Sequence, residues 1–355
     1  MTDPLKELRE RIDGLDERLV ALLNERASLA QTIGHLKENG AAYRPDREAQ
    51  VLRRVRELNQ GPLPPDAIAS LYTEIMSACR SLEAPTAVAY LGPPGTFSEE
   101  AVIKHFGSAV SPLPCVSIDE TFQSVESGAA EYGVVPIENS TEGAVGRTND
   151  LLFLKPVAIC GEVMLPVHQC LMNSSGRAEG FSRIYSHAQS LAQCRGWLSA
   201  HYPRVEQIAV VSNAEAARLA SLEEGAAAVA GRLAAQRYQL QLVAANIEDE
   251  QRNITRFVVI GATAAAPTGR DRTSLVMTTR NRPGAVHDLL VPLKKHQVSM
   301  SRLESRPARS GLWEYLFFVD IEGHEQDENV ARALAEMREI ATFVKVLGSY
   351  PIAPT

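Results

Sequence analysis

Apolar positions in the first forty residues recur at steps of three and four. They fall at 5, 8, 12, 15, 19, 22, 29, 33 and 36, the spacing of an amphipathic helix with a heptad-like seam. Such a helix would be about 50 Å long at a rise of 1.5 Å per residue. Because residues 1–84 are too few to cover a seam of that length, we expect it to pack against a second chain.

Breaks in this pattern divide the N-terminal segment into helices. Gly40 and Pro45 interrupt the first helical pattern, a second runs over residues 46–58, and a third begins after the Gly- and Pro-rich break at 61–65. The pattern predicts an all-α, three-helix domain over residues 1–84.

Strand and helix patterns alternate through the rest of the chain. From Val88 to Ile260 they predict a second domain, residues 86–263, of α/β class with a largely parallel sheet. The stretch 262–269, rich in Ala, Thr and Pro, is typical of a linker. The order strand, helix, strand, strand, helix, strand then predicts an α+β, ferredoxin-like domain over residues 272–350.

Composition narrows the class of protein. Of the 355 residues, 45% are hydrophobic and 22% charged, and no apolar run is long enough to span a membrane. The N-terminus carries no signal segment, so we expect a cytoplasmic protein. The net charge of −7 and the lack of a basic segment argue against nucleic acid as a partner. Five scattered cysteines match neither a disulfide framework nor a metal site, so we expect buried, reduced thiols and no metal.

Arg26 is a permanent cation at a seam position that calls for an apolar side chain. Lys37 lies eleven residues further, about three turns, and therefore projects from nearly the same face. Two cations in an apolar seam require anionic partners. The partner is either a carboxylate such as Glu48, which would set helix register, or a bound dianion.

Four short motifs in this segment carry a family resemblance. They are Leu8-Arg9, the Leu-Leu-Asn-Glu-Arg run ending at Arg26, Ile33-Gly34 with Lys37, and Arg47-Glu48. With them, residues 5–84 resemble the all-helical chorismate mutases. The resemblance implies that Arg26 and the partner subunit's Arg9 hold the two carboxylates of chorismate. It further implies that Glu48 accepts the substrate hydroxyl, that Lys37 donates to the ether oxygen, and that Arg44 and Arg47 lie beside the substrate.

Glu83 stands where the family often has a glutamine donor to the ether oxygen. A Claisen rearrangement needs the substrate held in a folded conformer and the developing negative charge stabilised, without nucleophile or metal. A carboxyl group donates only when it is protonated. We therefore expect mutase activity that falls with rising pH as Glu83 ionises.

The central domain contains four polar loops next to predicted strands or helices. The first, Gly92 to Ser98, joins a strand to a helix, where backbone N–H groups suit an anion. The others are Pro-Ile-Glu-Asn-Ser from Pro136, Ser-His-Ala-Gln-Ser from Ser186, and the run Asn-Ile-Thr-Arg-Phe from Asn253. Each loop alone is common as an ordinary turn.

Together these loops resemble the prephenate dehydratases across residues 87–261. The resemblance implies two α/β lobes like those of a periplasmic binding protein, with prephenate in the cleft between them and no cofactor. Thr255 is expected to protonate the departing ring hydroxyl. The residues expected to bind substrate are Thr96, Ser98, Glu138, Asn139, Ser140, Gln189, Arg256 and Phe257.

Two motifs of the C-terminal domain resemble the amino-acid-binding ACT domains. They are Gly284-Ala285-Val286, which opens a predicted helix, and Glu304-Ser305-Arg306-Pro307, which ends a predicted strand. The resemblance implies a phenylalanine pocket at a dimer interface and feedback inhibition. It also implies a homodimer or a higher homo-oligomer.

The sequence thus predicts an enzyme that converts chorismate to prephenate and prephenate to phenylpyruvate. Two alternatives stay open. One is an arogenate-using dehydratase, and the other is a non-catalytic ligand-binding regulator, in which a residue such as Thr255 would have no purpose.

Overall fold

The computed structural model describes residues 4–36, 42–280, 282–307 and 315–353. The chain divides into two compact units. The first comprises residues up to Thr86 together with His105–Ser111. The second comprises Ala87–Lys104 and the chain from Pro112 onward.

Helices build the first unit. They are α1 (Pro4–Leu36), α2 (Pro45–Leu58) and α3 (Pro65–Ser81). Proline is tolerated in the first turn of α2 and α3, where the N–H would have no intrahelical partner. No residue of α1 is buried, and its apolar stripe is exposed to solvent in the single chain.

The elements of the first and second sheets follow α3 in the chain, and nearly all of their residues belong to the second unit. In chain order they are β1 (Ala87–Leu91), α4 (Phe97–Phe106), β2 (Ser111–Cys115), α5 (Ile118–Glu126), β3 (Tyr132–Asn139), β4 (Gly143–Ala144), α6 (Gly146–Leu154), β5 (Ala158–Pro166), β6 (Cys170–Asn173), β7 (Arg183–His187), α7 (Ala188–Gln193), α8 (Arg195–His201), β8 (Glu206–Val210), α9 (Asn213–Leu222), β9 (Ala226–Ala230), α10 (Arg232–Arg237), β10 (Gln241–Ala244) and β11 (Ile254–Gly261).

The first sheet has the strand order β2-β1-β3-β11-β5, with β4 paired to β3. The strands β1 and β3 are parallel, whereas β11 runs antiparallel to both β3 and β5. The second sheet has the order β10-β6-β9-β7-β8 and is also mixed. The prediction of a largely parallel sheet was therefore wrong. The chain leaves the first sheet after β5 and returns as β11, so no short βαβ crossover sets the direction of that strand.

The third sheet is formed by the C-terminal elements. These are β12 (Asp271–Thr278), α11 (Ala285–Lys295), β13 (Met300–Pro307), β14 (Tyr315–Glu322), α12 (Glu328–Ile340) and β15 (Phe343–Pro351). The sheet is antiparallel with the order β13-β14-β12-β15. This confirms the predicted βαββαβ order.

The first and third sheets share a hydrophobic core. Val258 and Ile260 of β11 lie in one cluster with Val276 of β12, Phe318 of β14 and Tyr350 of β15. The opposite face of the third sheet packs against α11 and α12. The third sheet is therefore a layer of the second unit and not an appendage.

All five cysteines are buried and free, as the sequence predicted. Among the described helices, none combines the length and the hydropathy needed to cross a bilayer.

Candidate functional site

Arg26 of α1 is partly buried against α3. Its Nη1 donates to Cys79 Sγ at 3.0 Å. Arg9 is exposed, and it lies on the same helix about 25 Å from Arg26 at 1.5 Å per residue. Two arginines of one helix at that separation do not reach one small dianion, so an Arg9 that helps Arg26 comes from another chain. Lys37 lies outside the described residues.

Glu48 of α2 forms an ion pair with Arg80 of α3. Arg80 is 4% exposed, donates from Nη2 to the Phe106 carbonyl at 2.6 Å, and lies over the Tyr43 ring at 5.2 Å. Burial raises the pKa of Glu48, while the charges of Arg80 and Arg26 act to lower it. The candidate acceptor of the substrate hydroxyl is therefore fixed by a buried cation.

Sequence reasoning missed Arg80. The signal was present, because Arg80 follows the buried Met76 by four residues and so lies on the apolar face of α3. Like Arg26 on α1, Arg80 is a cation at a helix position where the pattern calls for an apolar side chain.

The remaining candidates of the first unit differ in placement. Glu83 follows α3 and packs so closely on α1 that a Cβ at Gly34 would come within 2.8 Å of its side chain. Arg44 is exposed and pairs with Asp46 through two hydrogen bonds of 3.2 and 3.1 Å. Arg47 is exposed on α2. Glu83 is thus held against the helix that carries Arg26, whereas Arg44 is turned to a neighbouring carboxylate.

Thr255 lies on β11 directly opposite Asn139 of β3. Asn139 Nδ2 donates to Thr255 Oγ1 and to Asn253 Oδ1, both at 2.8 Å. Asn139 Oδ1 in turn accepts from the backbone of Thr141 at 3.0 Å, which orients the amide. Because Thr255 Oγ1 accepts here, its own proton is left to donate elsewhere. This is the arrangement that a proton donor requires.

Ser140, which directly follows β3, is hydrogen-bonded to β11 at Ile254, the residue before Thr255. Its backbone N–H donates to the Ile254 carbonyl at 2.9 Å, and its Oγ accepts from the Ile254 N–H at 2.9 Å. The loop after β3, expected from Pro136 onward, is in fact strand as far as Asn139. The strand pairing holds Asn139 and Thr255 in register.

Glu138 and Arg256 lie on the opposite face of the first sheet from Thr255. They pair with each other across β3 and β11, one residue from the Asn139–Thr255 pair, and strand side chains alternate. Arg256 is buried in contact with Glu162 and Asp320. The structure therefore brings Asn139 and Thr255 together and separates Glu138 and Arg256 from them. Phe257 is buried in the sheet.

The loop between β1 and α4 already holds a carboxylate. The Gly95 N–H donates to Glu99 Oε2 at 2.5 Å, and Arg237 pairs with the same side chain. Thr96 Oγ1 donates to the Leu91 carbonyl at 3.0 Å, and Ser98 is buried. Glu99 thus occupies part of the anion cradle expected for the substrate.

Gln189 is exposed on α7, while its neighbour Ser190 is buried in a polar cluster. Ser190 Oγ accepts from Gln169 Nε2 at 3.1 Å and from Asn213 Nδ2 at 2.9 Å. Gln169 is 1% exposed, and its Oε1 has no hydrogen-bond partner among the described residues. Sequence reasoning missed Gln169, which had only the weak signal of a polar residue shortly after an apolar strand.

Gln169 lies in one of the two connections between the first and second sheets. Glu248, in the other connection, accepts from the Gln169 N–H at 2.8 Å and from the His168 ring at 2.8 Å. The Ile247 N–H donates to the Gln169 carbonyl at 2.9 Å. These bonds tie the two connections together beside the polar cluster.

The C-terminal domain has a cavity of about 220 Å³ at the N-terminal end of α11. Gly284, Ala285 and Val286 line it, as do Arg280 and Phe317. The positive φ of 78° at Gly284 suits a residue without a side chain. The cavity combines an apolar wall with cations at a helix N-terminus, which suits an amino acid.

The Glu304–Pro307 motif does not line this cavity. Glu304 Oε2 accepts from Asn149 at 3.1 Å and Arg306 pairs with Asp150 at 3.2 Å, both residues of α6. Ser305 and Pro307 are exposed. In the single chain the two expected halves of the phenylalanine pocket are therefore apart.

Comparison with known proteins finds three families along the chain. Residues 8–84 match the family described as chorismate mutase type II, residues 88–265 match prephenate dehydratase, and residues 273–339 match the ACT domain. Among the described residues, no group of three or more His, Cys, Asp or Glu side chains is placed to hold a metal.

Full-length and partial relatives were both found. A bifunctional chorismate mutase/prephenate dehydratase of Neisseria gonorrhoeae is 52% identical, over 97% of this chain and 96% of that protein. The structure of a prephenate dehydratase from Arthrobacter aurescens in complex with L-Phe superposes with a TM-score of 0.70 and 33% identity, covering 76% of this chain and 90% of that one. A structure described as a quorum-quenching acylase, GqqA, has the same TM-score of 0.70 at 30% identity, over 76% of this chain and 98% of its own. A fold shared with an acylase leaves the activity to be argued from the site and from the full-length relative. The chain belongs to the bifunctional chorismate mutase/prephenate dehydratase family.

Proposed function

We propose that the first unit rearranges chorismate to prephenate, that the first and second sheets dehydrate prephenate to phenylpyruvate, and that phenylalanine bound by the C-terminal domain inhibits the dehydration. The observation that carries the dehydratase is the 2.8 Å hydrogen bond from Asn139 to Thr255. The one that carries the mutase is the buried group of Arg26, Glu48 and Arg80.

The mutase mechanism is one of binding and charge. Arg26, with Arg9 of the partner subunit, binds the two carboxylates and holds the substrate in the folded conformer. Glu48 accepts the substrate hydroxyl. Lys37 and a protonated Glu83 stabilise the charge on the ether oxygen as the C–O bond breaks. No proton is transferred in this reaction.

The dehydratase mechanism requires one proton. Prephenate binds in a cleft between two lobes built on the first and second sheets, arranged as in periplasmic binding proteins, with Ser140, Gln189 and the loop at Thr96 and Ser98 at its edges. Its ring carboxylate leaves as CO₂, the electron pair aromatises the ring, and the ring hydroxyl departs with the proton of Thr255 as water. Solvent then returns a proton to Thr255. Asn139 directs the Thr255 hydroxyl outward.

Substitution of Thr255 tests this mechanism. We expect Thr255→Ala to lower kcat for prephenate by roughly 10²- to 10⁴-fold, the usual contribution of a positioned proton donor. Thr255→Ser should keep most of the rate because it keeps the hydroxyl. The mutase rate of both variants serves as the folding control, and near-wild-type dehydration by the alanine variant would exclude the role.

The exposed apolar face of α1 supports the proposal of a dimer. Leu8, Leu15, Leu19 and Leu22 are each about half exposed in the single chain, and a stripe of this length is an interface for a second helix. We therefore propose a homodimer in which the α1 helices pack together and exchange Arg9. In a homodimer, Gly284–Val286 of one chain and Glu304–Pro307 of the other would together complete one phenylalanine pocket.

A further inference from the structure

Arg256 lies in a buried polar cluster between the first and third sheets. Its guanidinium donates to Glu162 Oε2 at 2.9 Å, to Asp320 Oδ2 at 2.5 Å and to the Tyr350 hydroxyl at 2.8 Å. The side chain of Arg256 is 8% exposed, and those of Glu162 and Asp320 are 1% exposed. A cation buried this deeply is stable only while its partners keep their places.

The partners connect Arg256 to three strands of the C-terminal sheet. Asp320 belongs to β14 and Tyr350 to β15. Ser274 of β12 joins them, with its Oγ 2.6 Å from both Asp320 Oδ1 and the Tyr350 hydroxyl. Burial acts to raise the pKa of Asp320, but the charges of Arg256 and Arg302 outweigh it and hold that pKa below its usual range. The carboxylate is therefore charged at neutral pH.

Arg256 and Thr255 are consecutive residues of one strand. Successive side chains of a strand point to opposite faces, so Thr255 meets Asn139 on one face while Arg256 meets the C-terminal sheet on the other. Because β11 is paired on both edges, to β3 and to β5, it moves as part of the sheet and not as a free segment. A displacement imposed on Arg256 is also imposed on Thr255.

The strand that carries Asp320 also reaches the C-terminal cavity. Tyr315 and Phe317 of β14 line that cavity, and Asp320 lies three residues beyond Phe317, about 10 Å along the strand. A ligand in the cavity and the partner of Arg256 therefore share one strand.

We propose that Arg256 is a positioning residue for dehydration, through which the C-terminal sheet sets the place of β11 and hence of Thr255. The inference rests on the proposed function, because it takes Thr255 to act on prephenate. A ligand in the cavity that binds more tightly when β14 is in one position than in another favours that position of the strand. It then moves Asp320 and so alters the rate of dehydration.

Two conservative variants each weaken the connection without emptying the core. Tyr350→Phe loses one hydroxyl and keeps its ring in the shared core, while Asp320→Asn loses one charge at nearly constant shape. We expect kcat for prephenate to fall by about 2- to 30-fold, the range found when coupling residues are changed. KM should change little, and saturating phenylalanine should inhibit the variants less than the wild type. The mutase rate should be unchanged.

Lys345→Met is the matched control. Lys345 Nζ donates to the carbonyls of Leu152, Phe153 and Lys155, each at 2.9 Å, and so joins the C-terminal sheet to the end of α6 instead of to β11. This variant weakens the same interface, and we expect it to lower the melting temperature while kcat and phenylalanine inhibition stay near wild type.

Either of two results overturns the proposal. One is wild-type kcat and inhibition in both Tyr350→Phe and Asp320→Asn, and the other is a loss of kcat in Lys345→Met as large as in those variants. If Asp320→Asn does not fold, Tyr350→Phe decides alone. A wild-type chain that does not dehydrate prephenate contradicts the proposed function itself, and this outcome is distinct from failure of the proposed role of Arg256.

Discussion

At the scale of single residues, the two candidate active sites depend on charged or polar side chains that neighbouring side chains hold in place. Glu48 is fixed by Arg80, and Thr255 is oriented by Asn139. Arg80 acts on the protonation state of Glu48, and Asn139 sets the direction of the Thr255 hydroxyl. The supporting residues therefore give the sharpest residue-scale predictions.

Removing Arg80 should shift the pH dependence of the mutase. Burial raises the pKa of Glu48 and Arg80 acts to lower it, so Arg80→Met raises that pKa further. Ionised Glu48 is the stronger acceptor of the substrate hydroxyl, so the full mutase rate requires its carboxylate form. The acid limb of the mutase profile should therefore move to higher pH, with a greater loss at pH 6 than at pH 8, measured as the ultraviolet loss of chorismate.

Arg56→Met is the control for Arg80→Met, because Arg56 pairs with Asp66 at 3.3 Å and has no contact with Glu48 in the described structure. Arg80→Lys, which keeps the charge, should recover part of the wild-type profile. A folded Arg80→Met variant with an unchanged acid limb would refute the account.

The proposed role of Glu83 concerns the opposite limb of the same profile. In the proposed mechanism a protonated Glu83 donates to the ether oxygen and loses that donor on ionisation, so we expect the mutase rate to fall with rising pH. Glu83→Gln supplies a donor that does not titrate and should remove the alkaline loss. A flat wild-type profile from pH 5 to 9, or an alkaline loss that survives in Glu83→Gln, would count against this role.

The limits of sequence reasoning at this scale are specific. Thr255 and Asn139, which the structure places in contact, were predicted from motifs of the dehydratases. Arg256 and Glu138 lie in the same motifs but face away, since strand alternation sends adjacent side chains to opposite faces. Arg80 and Gln169 belong to no motif, and their burial is a property of the packed structure.

At the scale of elements, the periodic segments were the most predictable. The seam of α1 and the βαββαβ order of the C-terminal domain follow from local spacing of apolar residues. The spacing is three to four residues in helices and two in strands. The direction of β11 was not predictable, because it depends on strands that are distant in sequence. The loop expected from Pro136 is strand because β11 pairs with it.

The exposed stripe of α1 gives the element-scale prediction. Leu19→Glu places a charge in the proposed helix interface, and we expect the dimer to dissociate at micromolar concentration in analytical ultracentrifugation. Mutase activity should fall with it, since the proposed site takes Arg9 from a partner subunit. Ala21→Glu, whose position lies off the apolar stripe, should remain dimeric and active. A monomeric wild-type chain with full mutase activity would contradict this interpretation.

At the scale of the whole molecule, one core serves two domains. The first sheet and the C-terminal sheet share apolar side chains, and Gly348 of β15 lies so close to β5 that a Cβ would overlap the backbone of Ile159. The sequence predicted a linker between these domains but not their contact surface. Each side chain at that surface has only a local reason to be apolar or charged, whereas its partner can lie far along the chain: 64 residues separate Arg256 from Asp320 and 94 separate it from Tyr350.

The central claim is that one chain performs both steps, and a single time course tests it. Purified protein is incubated with chorismate while the ultraviolet loss of chorismate and the alkaline absorbance of phenylpyruvate are followed together. We expect chorismate to disappear and phenylpyruvate to rise after a lag, and Thr255→Ala to consume chorismate at the wild-type rate while prephenate accumulates. Loss of chorismate without phenylpyruvate in the wild type, or no loss of chorismate at all, would contradict the account.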